Sequence, residues 1–248
     1  MNTEESSMIT LYQMTISHYC EKVRWALTYK RLPFKAKNLL VGMHMKPVKK
    51  LTGQTSLPVI ADGKSIIHGS ADIISYLDTE YPRFCLTPES DDLRKQAQEW
   101  ELLADTVIGT NVRKICYDTL LDYPDVVIPL FTHQGPWYGH FLMRRIFPKL
   151  QHKMRAFMAL NDDSVAQAKV DLKVALDTVV AGVKGKDYLV GDSFTRADLA
   201  VASLFAPLFS PSKYDLPWPD KNPEKLEEVL ADYHDIRDWV LTIYTKHR

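Results

Sequence analysis

Apolar positions alternate between strand and helix spacing through the first third of the chain and keep helix spacing after it. Met8 to Tyr12 is a short β-prone run. Ser17 then precedes a segment with apolar residues at Tyr19, Val23, Ala26 and Leu27, the spacing of one helix face, and Leu32-Pro33 stops it. Phe34 to Val41 predicts a second strand. Leu57 to Ala61 and Ser65 to Ile67 flank Asp62-Gly63, a tight-turn pair, and read as an antiparallel hairpin. Ser70 opens another helix with Ile73, Ile74 and Leu77 on its buried face. The order βαβ followed by ββα predicts a small mixed sheet with helices packed on it.

Past Tyr81-Pro82 the pattern changes. Tyr81 to Ser90 holds two prolines and no period, and reads as a linker. Helical patterns follow over Leu93 to Tyr117 and Val165 to Val183, from Thr195 onward, and over Pro223 to Lys246 with a break. The expected division is an α/β domain over 1–82, a linker over 83–90 and an all-helical domain over 91–248. Within the last, 122–148 carries Pro124, Pro129, Gly135-Pro136, Gly139 and Pro148 among aromatic residues. That density of Pro and Gly predicts an irregular excursion between two helices.

Composition narrows the function classes. Of 248 residues, 46% are hydrophobic and 25% charged, which excludes wholesale disorder. Lys+Arg 31 balances Asp+Glu 31, so the basic excess of a general nucleic-acid binder is missing. No apolar run reaches the ~18 residues of a membrane span. Met1 to Ser7 is polar and acidic, unlike a signal peptide. Cys20, Cys85 and Cys116 form neither a disulfide framework nor a CxxC pair, so a cytoplasmic location is expected.

Four local motifs carry the chemistry. Thr195 and Asp198, within Gly191-Asp192-Ser193-Phe194-Thr195-Arg196-Ala197-Asp198-Leu199, stand at capping-box spacing, with Phe194 and Leu199 as the hydrophobic staple. Ser56-Leu57-Pro58 enters a strand with a proline that cannot donate to the ladder. Were that prolyl bond cis, the backbone of Leu57 would be free to pair with an extended peptide; a trans edge proline is the ordinary alternative. Ser17, in Ser17-His18-Tyr19-Cys20, lies at the mouth of the first helix, where a hydroxyl and free amides suit an anion such as a thiolate. Ser70, in His68-Gly69-Ser70-Ala71-Asp72, has the same setting and suits a carboxylate. Taken singly, each serine reads first as a helix cap.

In this order and spacing, Ser17, Leu57-Pro58, Ser70 and the Thr195–Asp198 box make the chain resemble the cytosolic glutathione transferases over nearly its whole length. The resemblance implies a thioredoxin-like N-terminal domain, an all-α C-terminal domain, a cytoplasmic homodimer and a detoxifying transferase. It implies glutathione as cosubstrate, with no metal, no nucleic acid and no membrane insertion. Ser17 then falls where serine- and cysteine-type members activate the sulfur. Leu57, with Pro58 cis, would pair with the cysteinyl backbone, and Ser70 would hold the γ-glutamyl carboxylate. Gly69 departs from the acidic residue or Gln that many members carry there, and Asp72 or His68 would have to compensate. His44 lies where relatives hold the glycine carboxylate, with Lys46 as its rival.

Several residues keep two readings. Cys20 is either packing beneath the site or the nucleophile of a glutathione-dependent reductase; Ser17 in the leading position excludes a dithiol cycle. Tyr12 is strand packing or a first-strand tyrosine of the kind other classes use. Arg113, Cys116, Tyr117, Trp137 and Tyr138 are candidates for the electrophile pocket, and the aromatic excursion is either core or a cover over an apolar cosubstrate. His18 and Cys20 alone are too few ligands for zinc. The function expected is attack of the glutathione thiolate on a small, largely apolar electrophile. The alternatives are a non-catalytic binding or adaptor protein of the same fold and the Cys20 reductase.

Overall fold

The computed structural model describes residues 8–248, so the reading of segment 1–7 concerns residues outside those described. Strand β1 (Ile9–Gln13) buries Ile9, Leu11 and Gln13 in strict alternation. It pairs in parallel with β2 (Phe34–Asn38) and antiparallel with β3 (Val59–Asp62), and β3 pairs antiparallel with β4 (Ser65–His68). The sheet order is β2-β1-β3-β4. A parallel pair needs a crossover, and α1 (His18–Tyr29) supplies it, burying Val23, Trp25, Ala26 and Leu27. Helix α3 (Ser70–Glu80) packs beside α1 through Ile73, Ile74 and Leu77.

Two N-terminal details differ from the sequence expectation. β2 ends at Asn38, where the register with Gln13 runs out, rather than at Val41; Leu40 and Val41 are buried elsewhere. The helix α2 (Met45–Thr52) was not predicted, because Val48 is its one buried residue and eight residues give no readable period.

This topology brings three chain segments to one end of the sheet. β1 leaves there toward Ser17, β3 enters there after Leu57-Pro58, and β4 leaves there into Gly69-Ser70. The candidate stations are thus neighbours because of strand direction alone.

In the helical part, α4 (Asp91–Leu103) runs through a π-helical turn at Ala104–Ile108 into α5 (Gly109–Leu120). α8 (Asp162–Val183), α9 (Arg196–Phe209), α10 (Glu224–Leu230) and α11 (Arg237–His247) complete it. α9 is the centre, with all of its residues buried except Pro207 and Phe209. Its cap is the expected box. Asp198 Oδ2 accepts from the Thr195 amide at 2.9 Å, and Asp198 Oδ1 also accepts from the Leu189 amide at 2.7 Å. Phe194, before the cap, stacks on Trp25 and His247.

Residues 122–148 are not irregular. They form α6 (Pro124–Thr132), a short turn and the first half of α7 (Gly139–Phe157). Pro124 occupies the first turn, where its missing N–H is unpaired in any case. Pro129 and Pro148 lie inside helices, and each removes an intrahelical bond. Burial of Val127, Ile128, Phe131, Met143 and Phe147 in a second apolar cluster offsets that loss. Leu40 and Val41 complete this cluster, so the α6–α7 pair leans on the loop after β2.

Candidate active site

Ser17 is held in place by bonds to every carbonyl before it. Its own amide donates to Met14 O at 3.0 Å, Arg24 Nη2 donates to Thr15 O at 3.0 Å, and Tyr214 Oη donates to Ile16 O at 2.9 Å. The buried Arg24 also bonds Gln13 Oε1 at 2.7 Å, which ties the turn to the end of β1. Ser17 caps α1 by accepting from the Cys20 amide at 3.4 Å. In that bond the hydroxyl is the acceptor, so its proton is left to turn either to the buried Cys20 thiol beside it or to the cleft. A hydroxyl free to donate at a helix N-terminus suits a thiolate.

The helix behind Ser17 is locked to the helical domain at the π turn. Tyr19 Oη donates to Asp105 O at 2.5 Å, and His18 Nε2 meets Gly109 O at 3.0 Å. A Cβ at residue 109 would lie 2.5 Å from Tyr19 Oη, so only glycine permits this approach. Burial, then the charge of Arg113, pushes the His18 imidazole down to about 3. His18 is therefore neutral, and its Nε2 carries the proton toward the carbonyl. Burial raises the Tyr19 hydroxyl to about 12.

At the neighbouring station the Leu57-Pro58 bond is cis. Leu57 precedes β3 and its backbone has no backbone partner among the described residues, whereas Val59 is paired to both neighbours. Gly69 N reaches Pro58 O at 3.4 Å, so Gly69-Ser70 adjoins this segment. Ser70 is the first residue of α3; it is buried, and no cap side chain covers the helix's free amides. Gly69 has φ +86°, which favours glycine. That conformation explains the departure from the acidic residue or Gln. The Asp72 carboxylate fills part of the gap, with Oδ2 3.1 Å from where a Cβ at 69 would sit.

A cleft of about 840 Å³ opens between the sheet end and the helices, and Ser17, His44 and Leu57 line it. Arg113, Cys116 and Tyr117 line its α5 side. Trp137 and Tyr138 do not line it. They sit at the α6–α7 turn, where Trp137 is 94% exposed, so the aromatic cover reading fails for both. Lys46 is exposed and also outside the lining. Tyr12 lies under Lys37 on the sheet and does not reach the cleft. Burial holds the His44 imidazole below its ordinary value, and its Nδ1 is enclosed without a partner among the described residues. Cys20 is wholly buried, and burial pushes its thiol up despite the bond to Ser17; it packs beneath the site. Burial likewise lifts Cys116 to about 12.

Sequence reasoning missed one wall. Residues of α7, among them Lys149, Leu150, Lys153 and Met154, face the cleft opposite the loop after β2; Leu150 lies close to Gly42. The i, i+4 spacing of Ile146, Leu150 and Met154 could have found this helix, but Pro148 in its midst argued against one. Among the described residues no group of three or more His, Cys, Asp or Glu could hold a metal ion, and no helix is long and apolar enough to cross a membrane.

Comparison with known proteins identifies the family of the chain. The family model for the N-terminal domain of glutathione S-transferase matches residues 11–89, and that for the C-terminal domain matches 144–246. Glutathione S-transferase 1 of Dianthus caryophyllus is 27% identical over 208 residues, covering 82% of this chain and 78% of the relative. A probable maleylacetoacetate isomerase of Vibrio cholerae is 28% identical over 155 residues, 59% of this chain and 69% of the relative. Among solved structures, glutathione transferase F7 of Populus trichocarpa superposes with a TM-score of 0.65 at 16% identity, over 96% of this chain and 94% of that one. The β-etherase LigF of Sphingobium does so at 0.64 and 17%, over 96% and 99%. The chain belongs to the glutathione S-transferase family, with the thioredoxin-like and all-helical halves of that architecture.

Proposed function

We propose that this protein binds glutathione along the end of its sheet and ionises the thiol against Ser17, for attack on an apolar electrophile held in the cleft. The observation that carries this reading is the Ser17 hydroxyl, which lines the cleft, accepts from the Cys20 amide and can turn its proton from the Cys20 thiol to a sulfur in the cleft. The unpaired backbone of Leu57 supports a peptide-like pairing with the cysteinyl unit. Ser70 and the α3 amides suit the γ-glutamyl carboxylate, and Asp72 suits the adjoining ammonium group. The relative named as a probable isomerase extends the chemistry from conjugation to isomerisation. Burial of Cys20 weighs against the thiol-reductase alternative. The adaptor reading rests on Gly69, which brings no side chain to the γ-glutamyl end; the nearby Asp72 carboxylate supports the enzyme instead.

The homodimer belongs to the same reading, and light scattering that returns a monomer's mass refutes it. The test of function is retention on immobilised glutathione, followed by an assay of the eluted protein with a chromogenic aryl halide. Retention with turnover is expected; retention without turnover favours the adaptor.

A further inference from the structure

We propose that the α7 wall of the cleft is a carboxylate-binding face, and that the second substrate is an apolar acid whose anionic end lies against Lys149 and Lys153. This rests on the glutathione reading only for the thiol that attacks.

Helix α7 turns Ile146, Lys149, Leu150, Lys153, Met154 and Phe157 toward the cleft, the spacing of a single helix face. The two ammonium groups stand one turn apart, an arrangement that is unfavourable without an anion. Of the other cations on the helix, Arg144 pairs with Asp125 and Arg155 with Asp118 and Asp122, while Arg145 has no carboxylate partner among the described residues but points away from the cleft lining. Lys149 and Lys153 have no carboxylate in reach among the described residues, and neither has Arg113 on α5, which also lines the cleft. No Asp or Glu belongs to the lining, although the chain as a whole carries no net charge. The local field is therefore positive inside apolar walls, and the ligand that answers both features is an amphiphilic anion.

The walls also speak for a flexible apolar body. Five of the eight methionines line the cleft: Met14, Met43, Met45, Met154 and Met158. Unbranched thioether side chains adapt to many shapes. The rival anion is the glycine carboxylate of glutathione, because Leu150 approaches Gly42 in the loop that carries His44. Against it, the lysines alternate with Leu150, Met154 and Phe157, an apolar surface ill suited to a polar peptide end.

Calorimetric titration of the wild type and the Lys149→Gln/Lys153→Gln double variant with octanoate, octanol and glutathione decides between them. Both lysines are exposed helix positions, so the variant is expected to fold. The wild type is expected to bind octanoate roughly ten-fold tighter than octanol. The variant is expected to bind the two alike and to keep its glutathione affinity within about two-fold. Equal binding of acid and alcohol by the wild type overturns the proposal. So does a variant that loses glutathione affinity and keeps its preference for octanoate, which assigns the lysines to the tripeptide. Absence of heat with glutathione in the wild type strikes only at the thiol reading, since the acid and alcohol arms do not depend on it.

Discussion

Replacing Ser17 with alanine removes the hydroxyl that caps α1 and lines the cleft. The size of the effect has a ceiling. A free thiol of pKa ~8.5 is about 3% ionised at pH 7, so complete ionisation raises the attacking species by at most about thirty-fold. Ser17→Ala should therefore lower kcat/KM at pH 7 by no more than about thirty-fold. The deficit should shrink about ten-fold per pH unit and vanish near the pKa of the free thiol, where water ionises it unaided. The cap contributes separately. Its bond is long at 3.4 Å, so its loss belongs at the low end of the ~0.5–2 kcal/mol range for such caps and is read as a small fall in Tm. The assay is a pH series of kcat/KM with a chromogenic aryl halide, beside ultraviolet difference spectra of the bound thiolate. A deficit that stays constant across pH would show that Ser17 orients the sulfur without ionising it. Unchanged activity at pH 7 would remove Ser17 from the reaction.

Four further outcomes follow from the same geometry. Asp72→Asn should raise the glutathione KM about ten-fold, and the difference should disappear with an analogue lacking the γ-glutamyl amine. Tyr214→Phe frees the Ile16 carbonyl and loosens the Ser17 turn; it should lower kcat several-fold with little change in KM, and Tyr214→Ala should do no better. Glu101→Gln takes from the buried Arg196 its carboxylate, 2.5 Å away, and from Lys22 one of two, Asp105 remaining at 2.8 Å, and should destabilise by roughly 3 kcal/mol in urea unfolding. Burial opposes the ionisation of Asp78, yet hydrogen bonds from Lys30, Thr87 and the Leu86 amide hold its carboxyl below the usual range. Its contribution should be complete above the unfolded carboxylate's pKa of about 3.9 and be lost as pH falls through the lower folded value, so the stability gap to Asp78→Asn should close in acid.

Much of this was legible where period and punctuation agree. The helix after Ser17, the hairpin about Asp62-Gly63 and the Thr195–Asp198 box each combine an apolar period with a residue that can begin or turn the chain. The α6–α7 pair was not legible, because Pro129 and Pro148 are local signals against a helix. What overrides them is burial of Phe131, Met143 and Phe147 against Leu40 and Val41, residues about a hundred positions away. The π turn had no local sign either; its Asp105 carbonyl accepts from Tyr19, which packs on the open flank of Gly109, more than eighty positions away. Ser17, Leu57 and Ser70 could be named from motif order, but their adjacency follows from strand direction. The charge on the far wall could not be assigned to the site before α7 was placed there.

These misses share a cause that bears on how the site works. Beside the bonds from Arg24 on α1, three bonds that orient Ser17 come from the helical domain: His18 to Gly109, Tyr19 to Asp105, and Tyr214 to Ile16. Arg196 fastens the start of α3 in the same way, bonding Ala71 O at 3.1 Å and Ser75 Oγ at 3.1 Å while it pairs with Glu101. The sheet thus supplies the groups that meet glutathione, and the helices supply the rigidity that fixes where those groups point. A thioredoxin-like domain expressed alone would keep Ser17, Leu57 and Ser70 in its sequence but lose these anchors, and with them the fixed hydroxyl on which ionisation of the thiol depends.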